Sequence, residues 1–319
     1  MINTESEEPL LSKTTNCILQ TCSSPKGSGC HVVIAYPSNE LALFRIAWQV
    51  NKTDDLRYEV SMNDPLNSAD LGTKSSGSPD HLSDRSKLSN ELRKSSIPDN
   101  ELTANLGLYI ERMHLSRILL MNDLYKQILN VPGNIVEFGV RWGQNISLFG
   151  KFRGMYEPYN HARRVIGFDT FNGFPSVARE DNLGNTGSTT IGDYGVCADW
   201  KSKLENLLAT QESMSPLAHI KKYELIEGDA TLTFEQYLIE NPSAIVAMAY
   251  FDFDLFTPTK ICLEKLLPRL TKGSIIVFDE LNCPEFPGET LALQQILGTQ
   301  NISLRSDTNN PYVSWFVWE

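Results

Sequence analysis

Seven acids stand at the ends of short apolar runs in this chain. Glu137 lies in NIVEF, Asp169 ends RVIGFD, and Asp229 ends YELIEGD. Asp252 and Asp254 follow AIVAMAYF, and Asp279 and Glu280 follow SIIVF. Each run has the composition of a strand, and in an open parallel sheet ligands bind beyond the carboxyl ends of the strands. One such acid is ordinary turn or cap chemistry. Acids at five successive tips are hard to attribute to turns alone. An acid after the second strand suits hydrogen bonding to ribose hydroxyls, and Asp229, behind Gly228, suits an adenine amine. Asp252, Asp254, Asp279 and Glu280 would come from neighbouring strands into one cleft. Like charges that close are costly unless protonated or bridged by a cation, and a hard, oxygen-preferring ion such as Mg²⁺ fits the set. Solvated loop acids with independent roles are the plain alternative.

The turn after the first strand carries Gly139 and Gly143, and a helical pattern starts at Gln144. A strand, a glycine turn and a helix N-terminus offer backbone amides to an anion. The spacing is not G-x-G-x-x-G, because Val140 follows Gly139 and Ile146 takes the third glycine's place, so a pyrophosphate has no good cradle. A nucleoside bearing an amino acid suits the turn better: Glu137 for its ammonium, the turn amides for its carboxylate. Phe168, Phe171 and Phe174 offer apolar cover for a base. Phe251, Phe253 and Phe256 could keep the site dry, or serve as plain core.

Positioning these groups requires a sheet, and the pattern supplies one. Apolar residues recur at helical spacing over 106–130, ended by Pro132-Gly133. Helices are then expected from Gln144, over 198–208, 231–239, 258–270 and 290–297, with strands between them. Residues 302–306 and 312–318 flank Asp307-Thr-Asn-Asn-Pro311 and read as a terminal hairpin. The polar, glycine-bearing stretch 176–196 is long enough to be a lid or binding loop. Ahead of all this, residues 1–60 read as a small N-terminal segment with a strand over 31–36 and a short helix over 41–50. Residues 61–100 have the Ser, Asp, Asn and Lys content of a flexible linker.

Composition excludes some partners. There are 28 Lys and Arg against 39 Asp and Glu, a net charge of −11, and no basic block interrupts it. Nucleic acid and anionic membrane surfaces both need a clustered positive footprint. The 6 cysteines form no C-x-x-C pair and read as free thiols of a reducing compartment. No signal peptide is visible and no run reaches the ~18 residues that span a bilayer. A cytoplasmic protein is expected, with self-association left open.

Four ordered motifs resemble one family. VPGNIVEFGV (131–140), FDTFNGFP (168–175), FDFDLFTPT (251–259) and GSIIVFDE (273–280) are similar to the macrocin O-methyltransferase (TylF-type) family of class I, S-adenosylmethionine-dependent enzymes. The resemblance implies an α/β, Rossmann-like class I methyltransferase fold over 101–319. Its seven-stranded, mostly parallel sheet would have helices on both faces and a C-terminal hairpin. It places S-adenosylmethionine over the first three strand ends. Glu137, Gly139, Gly143 and Asp169 then fall among the cofactor residues, with Phe138, Thr170, Phe171, Gly228, Asp229 and Asp252 completing the set. Mg²⁺ would be held by Asp254, Asp279 and Glu280, with Asp254 or Asp252 close to the reacting hydroxyl. The family's usual paired glycine reads Gly143-Gln144 here, and its paired aspartates read Asp279-Glu280. The implied reaction is methyl transfer to a hydroxyl of a sugar or other polyol-bearing small molecule. Three other readings stand beside it: a phenol or catechol acceptor, a hydroxylase-like relative (against which no 2-His-1-carboxylate set is visible), and a non-catalytic scaffold of the same fold.

Overall fold

Strand β4 (Asn134–Phe138) is the centre of the structure, paired on one side with β5 (Val165–Asp169) and on the other with β7 (Val246–Phe251). The computed structural model describes residues 71–74, 77–183 and 189–319, together with three N-terminal strands at 18–21, 30–35 and 41–46. The chain divides into two compact units, Met1–Leu66 and Asn67–Glu319.

The first unit contains an antiparallel sheet of β1 (Ile18–Thr21), β2 (Cys30–Ala35) and β3 (Leu41–Ile46). The strand expected over 31–36 is β2. The helix expected over 41–50 is instead β3, paired with β2 along its whole length from Cys30↔Ile46 to Ala35↔Leu41. A short stretch has little helical stability of its own, so a complete backbone ladder outweighs its propensity.

The second unit begins with helices α1 (Pro79–Arg93), α2 (Asp99–Leu102) and α3 (Arg112–Gln127). Helix α1 corrects the linker expected over 61–100. Ser78 accepts from the His81 N–H and Pro79 opens the first turn, so local capping makes a helix where composition suggested none. It buries no residue. The long helix expected over 106–130 is shorter: a 3₁₀ turn covers Thr103–Leu108, and α3 follows from Arg112.

The other elements are α4 (Gln144–Tyr156), α5 (Trp200–Ser213), β6 (Tyr223–Glu227), α6 (Ala230–Glu240), α7 (Phe256–Leu266), β8 (Leu270–Phe278), α8 (Gly288–Ile296), β9 (Arg305–Ser306) and β10 (Ser314–Val317). The seven-stranded sheet runs β6-β5-β4-β7-β8-β10-β9, parallel up to β8 and antiparallel through the terminal hairpin. Period-2 alternation sends Ile135, Val165, Met248, Ile275 and Val277 to one face, under α3, α4 and α5. Val136, Ile166, Ala249, Ile276 and Phe278 face the other way, under α6, α7 and α8. Both faces are covered, which is why β7 is buried at every position. The chain leaves β4 outward to β5 and β6 and returns to β7 and β8. The switch point therefore lies between the carboxyl ends of β4 and β7, where a crevice must open.

Gly139 closes that edge. Its N–H donates to the Phe168 carbonyl (2.9 Å), and Asp252 N–H donates to the Phe138 carbonyl (2.8 Å). Its φ is +90°, and a Cβ there would land on the Asp252 carbonyl oxygen. Gly139→Ala should cost on the order of 3 kcal/mol or more of stability, by strain and steric conflict together, with urea unfolding as the measure. A loss below about 1 kcal/mol would mean that the two strand ends do not approach this closely.

Candidate active site

A cavity of about 340 Å³ opens over the carboxyl ends of β4 to β8. All seven strand-tip acids line it: Glu137, Asp169, Asp229, Asp252, Asp254, Asp279 and Glu280. Gly139, Thr170 and Gly228 line it too. Three expected cofactor residues do not. Phe138 is fully buried among Phe168, Phe234, Phe251 and Phe253, because the strand pleat turns it to the face opposite Glu137. Phe171 packs in the core on the α3–α5 side, and only its backbone N–H reaches the site, donating to Asp169 Oδ1 (2.5 Å). Gly143 caps α4 in a left-handed conformation, φ +85°, with the Leu204 side chain where a Cβ would stand. Of the phenylalanines offered as cover, Phe174 and Phe253 line the cavity, while Phe168 and Phe251 are core.

The first half of the site is built on β4, β5 and β6. Asp169 is fixed by two backbone donors, Arg141 N–H to Oδ2 (2.8 Å) and Phe171 N–H to Oδ1 (2.5 Å). Burial pushes its carboxyl up, and these two N–H groups work against that. Asp229 caps α6, with Oδ1 accepting from the Thr231 N–H (2.9 Å) and hydroxyl (2.7 Å). Glu137 is buried, and its Oε2 has no hydrogen-bond partner among the described residues. Burial, and then the neighbouring Asp169 charge, hold its carboxyl well above the ordinary range.

The second half sits on the tips of β7 and β8. Asp252, Asp254 and Glu280 each present a carboxylate oxygen within 4.8 Å of the others. Asp279, expected in that cluster, is turned elsewhere. Arg117 Nη1 lies 2.7 Å from its Oδ1, and the Tyr250 hydroxyl donates to the same oxygen. The pleat explains the split: Tyr250 lies on the α3 side of the sheet, and Asp279 turns to meet it and Arg117. Arg117 also reaches Asp252 Oδ2, at 3.4 Å. Glu280 Oε2 is buried and unpartnered among the described residues. Burial, opposed by a hydrogen bond with Glu280 and reinforced by the Asp279 charge, raises Asp254 to about 6. Burial and the Asp254 charge raise Glu280 well above its usual range. Three close acceptors, one with an unfilled oxygen, are a donor set for a hard divalent cation.

Sequence reasoning missed four contributors. Arg117 lies within the helical pattern over 106–130, and nothing in that pattern singles it out. Tyr194, from the glycine-bearing loop, packs against Phe174 and Phe286 with the Arg141 guanidinium 4.8 Å over its ring. Asp181, buried in the same loop, accepts from Phe256 N–H (2.6 Å) at the start of α7 and from Ala178 N–H (2.7 Å). Glu289, in the first turn of α8, is entirely buried. An acid in a helix's first turn is ordinary, so no signal marked it.

A doubly wound sheet with an acid-lined cleft over its switch point is the class I methyltransferase arrangement. The chain belongs to the macrocin-O-methyltransferase (TylF) family, whose sequence model matches residues 111–302. The crystal structure of the calicheamicin methyltransferase CalS11 matches with a TM-score of 0.73 and 39% identity, covering 80% of this chain and 98% of that one. An apo structure of CalS11, described as a TDP-rhamnose 3'-O-methyltransferase of calicheamicin biosynthesis, matches at TM-score 0.67 and 38% identity, over 76% of this chain and 96% of that one. In sequence, 154 residues are 29% identical to the Streptomyces olivaceus 8-demethyl-8-(2,3-dimethoxy-alpha-L-rhamnosyl)-tetracenomycin-C 4'-O-methyltransferase. That match covers 47% of this chain and about half, 53%, of the relative.

Each raised carboxyl binds its proton more tightly in the folded than in the unfolded protein. The stabilisation from Asp254 is complete below its ordinary value of 3.8 and is lost as pH rises through about 6. In chelator, the melting temperature should fall between about pH 4 and pH 6, and saturating Mg²⁺ should remove most of that fall. Thermal melts with and without metal measure it. Parallel curves would mean that the cluster holds no shared ion.

Proposed function

We propose that this chain transfers a methyl group from S-adenosylmethionine to a hydroxyl of a deoxysugar on a nucleotide or natural-product carrier, with Mg²⁺ in the site. One observation carries this reading. The seven tip acids line a single cavity, and two of their oxygens, on Glu137 and Glu280, are buried without partners among the described residues. Buried lone pairs without partners are costly, so both positions favour a cationic ligand group. The sugar acceptor is supported by the relatives, whose names specify rhamnose or a rhamnosyl group. Among the described residues no helix is long and apolar enough to cross a membrane.

The residues divide the work. Asp169 keeps lone pairs free on both backbone-fixed oxygens to accept the ribose hydroxyls. Asp229 uses Oδ1 as a helix cap and leaves Oδ2 for an adenine amine. Glu137 faces the ammonium of the methionine portion. S-adenosylmethionine supplies an electrophilic methyl on a sulfonium whose charge vanishes in the transition state. Phe253, Leu255 and Pro258 in the cavity wall keep water from competing for that methyl. Asp252, Asp254 and Glu280 would hold the divalent ion, which when bound lowers the pKa of an adjacent hydroxyl. Asp254, at the cavity wall beside the acceptor's side of the cleft, is the group assigned to take the hydroxyl proton. The acceptor oxygen then bonds the methyl carbon as the carbon–sulfur bond breaks, and the pair of electrons stays on sulfur. Orientation of oxygen, carbon and sulfur in line is the larger contribution of the fold.

The test is incubation with S-adenosylmethionine and TDP-rhamnose as trial acceptor, with product mass as readout. Methylated sugar that disappears with chelator is the expected result. Asp254→Asn should lower kcat by about 10²- to 10⁴-fold while leaving S-adenosylmethionine affinity within about twofold. Wild-type protein that binds no S-adenosylmethionine by calorimetry would overturn the reading.

A further inference from the structure

Glu289 is a buried acid beside the cleft to which the reaction above assigns no role. Its side chain is fully buried, and its two oxygens accept from three backbone N–H groups. Oε1 takes Phe253 (3.0 Å) and Asp254 (3.4 Å), and Oε2 takes Glu280 (3.2 Å). Asp254 and Glu280 are two of the three clustered acids, and they come from the tips of two different strands. The β7–β8 ladder ends at Phe251↔Phe278, with Asp279 N–H donating to the Phe251 carbonyl just beyond it (2.9 Å). The ladder ends there, and Glu289 spans the two tips from α8. Asp254 has φ +60°, a left-handed conformation that a residue with a side chain holds only where its surroundings impose it. Burying a fourth carboxylate beside three others is costly, and an apolar side chain would fill the space at less cost. The acid is there for what it accepts.

We propose that Glu289 is a positioning residue. Its carboxylate clamps the backbones of Asp254 and Glu280 at one spacing and thereby sets the affinity of the Asp252–Asp254–Glu280 site for a divalent cation. The proposal rests on the reading of that site as cation-binding. Its geometry explains why a glutamine would not serve. An amide has the same shape, but one of its ends donates, so either the Glu280 N–H or the Phe253 and Asp254 N–H groups would face another donor.

The experiment is Mn²⁺ binding, followed by the electron paramagnetic resonance of free Mn²⁺, with S-adenosylmethionine affinity measured on the same samples by calorimetry. In Glu289→Gln, Mn²⁺ affinity should fall about 10- to 100-fold. S-adenosylmethionine affinity should stay within about twofold, because Asp169, Asp229 and Glu137 do not touch Glu289. Equal losses for both ligands would show a general structural role and overturn the proposal. Unchanged Mn²⁺ affinity would also overturn it while leaving the cation site standing. No Mn²⁺ binding by the wild-type protein would overturn the cation reading itself, and the proposal with it. If Glu289→Gln does not fold, Glu289→Asp carries the same comparison under the same criteria, since it keeps the charge but shortens the arm by one methylene.

Discussion

Four carboxylates at the tips of β7 and β8 cannot all stay charged in one half-buried cleft without a counter-charge, and the rest of the site follows from how they are neutralised. Arg117 takes one of them fully and a second in part, at 2.7 Å from Asp279 and 3.4 Å from Asp252. A guanidinium does this better than an ammonium, because its planar fork reaches two carboxylates at once and stays charged when desolvated. Asp252, Asp254 and Glu280 are left clustered, with one Glu280 oxygen unfilled among the described residues. Under the proposed reading, Arg117 decides which acids remain available to a cation. Its own position depends on the packing of α3, whose Leu120, Met121, Leu124 and Tyr125 are buried against the sheet. A hydrophobic contact on one side of a helix therefore fixes the electrostatics on the other.

The same economy of backbone groups holds the nucleoside half of the cleft. Asp169 is pinned by two N–H groups of the turns that follow β4 and β5, so the acid and the turns order each other. The two halves meet at Gly139, where the end of β4 comes so close to Asp252 that no side chain fits. Asp252 belongs to both halves: its backbone closes the sheet edge and its carboxylate joins the cluster. On the outer side, Asp181 ties the glycine-bearing loop to the start of α7, and Tyr194 stands over the cavity with Phe174 and Phe286. Acceptor recognition is expected to draw on these loop residues, because loops vary where the scaffold does not.

Much of this was legible in the sequence. Short apolar runs ending in acids marked β4 to β8 and their order of use, since period-2 burial and strand-tip acids are local signals. The terminal hairpin was legible for the same reason. Misreadings came where a pairing partner, a cap or tertiary packing outweighs the composition of the stretch itself. Residues 41–46 had helical company but found a strand partner in β2. The stretch 79–93 looked like a linker because nothing in it is buried, yet Ser78 and Pro79 were sufficient to start a helix. Asp279 and Glu280 looked equivalent as neighbours, whereas successive residues past a strand point to opposite sides, one to Arg117 and one to the cluster. Arg117 and Glu289 were invisible as site residues. They lie 135 residues before and 9 after the acids they serve, Asp252 and Glu280, and tertiary packing alone brings them together.

The division of the acids by Arg117 is the central claim, and anomalous diffraction from a crystal soaked in Mn²⁺ tests it most directly. The expected result is one anomalous peak within bonding distance of Asp252, Asp254 and Glu280, with Asp279 still paired to Arg117 and Tyr250. A peak bound by Asp279, with the Arg117 guanidinium displaced, would contradict it.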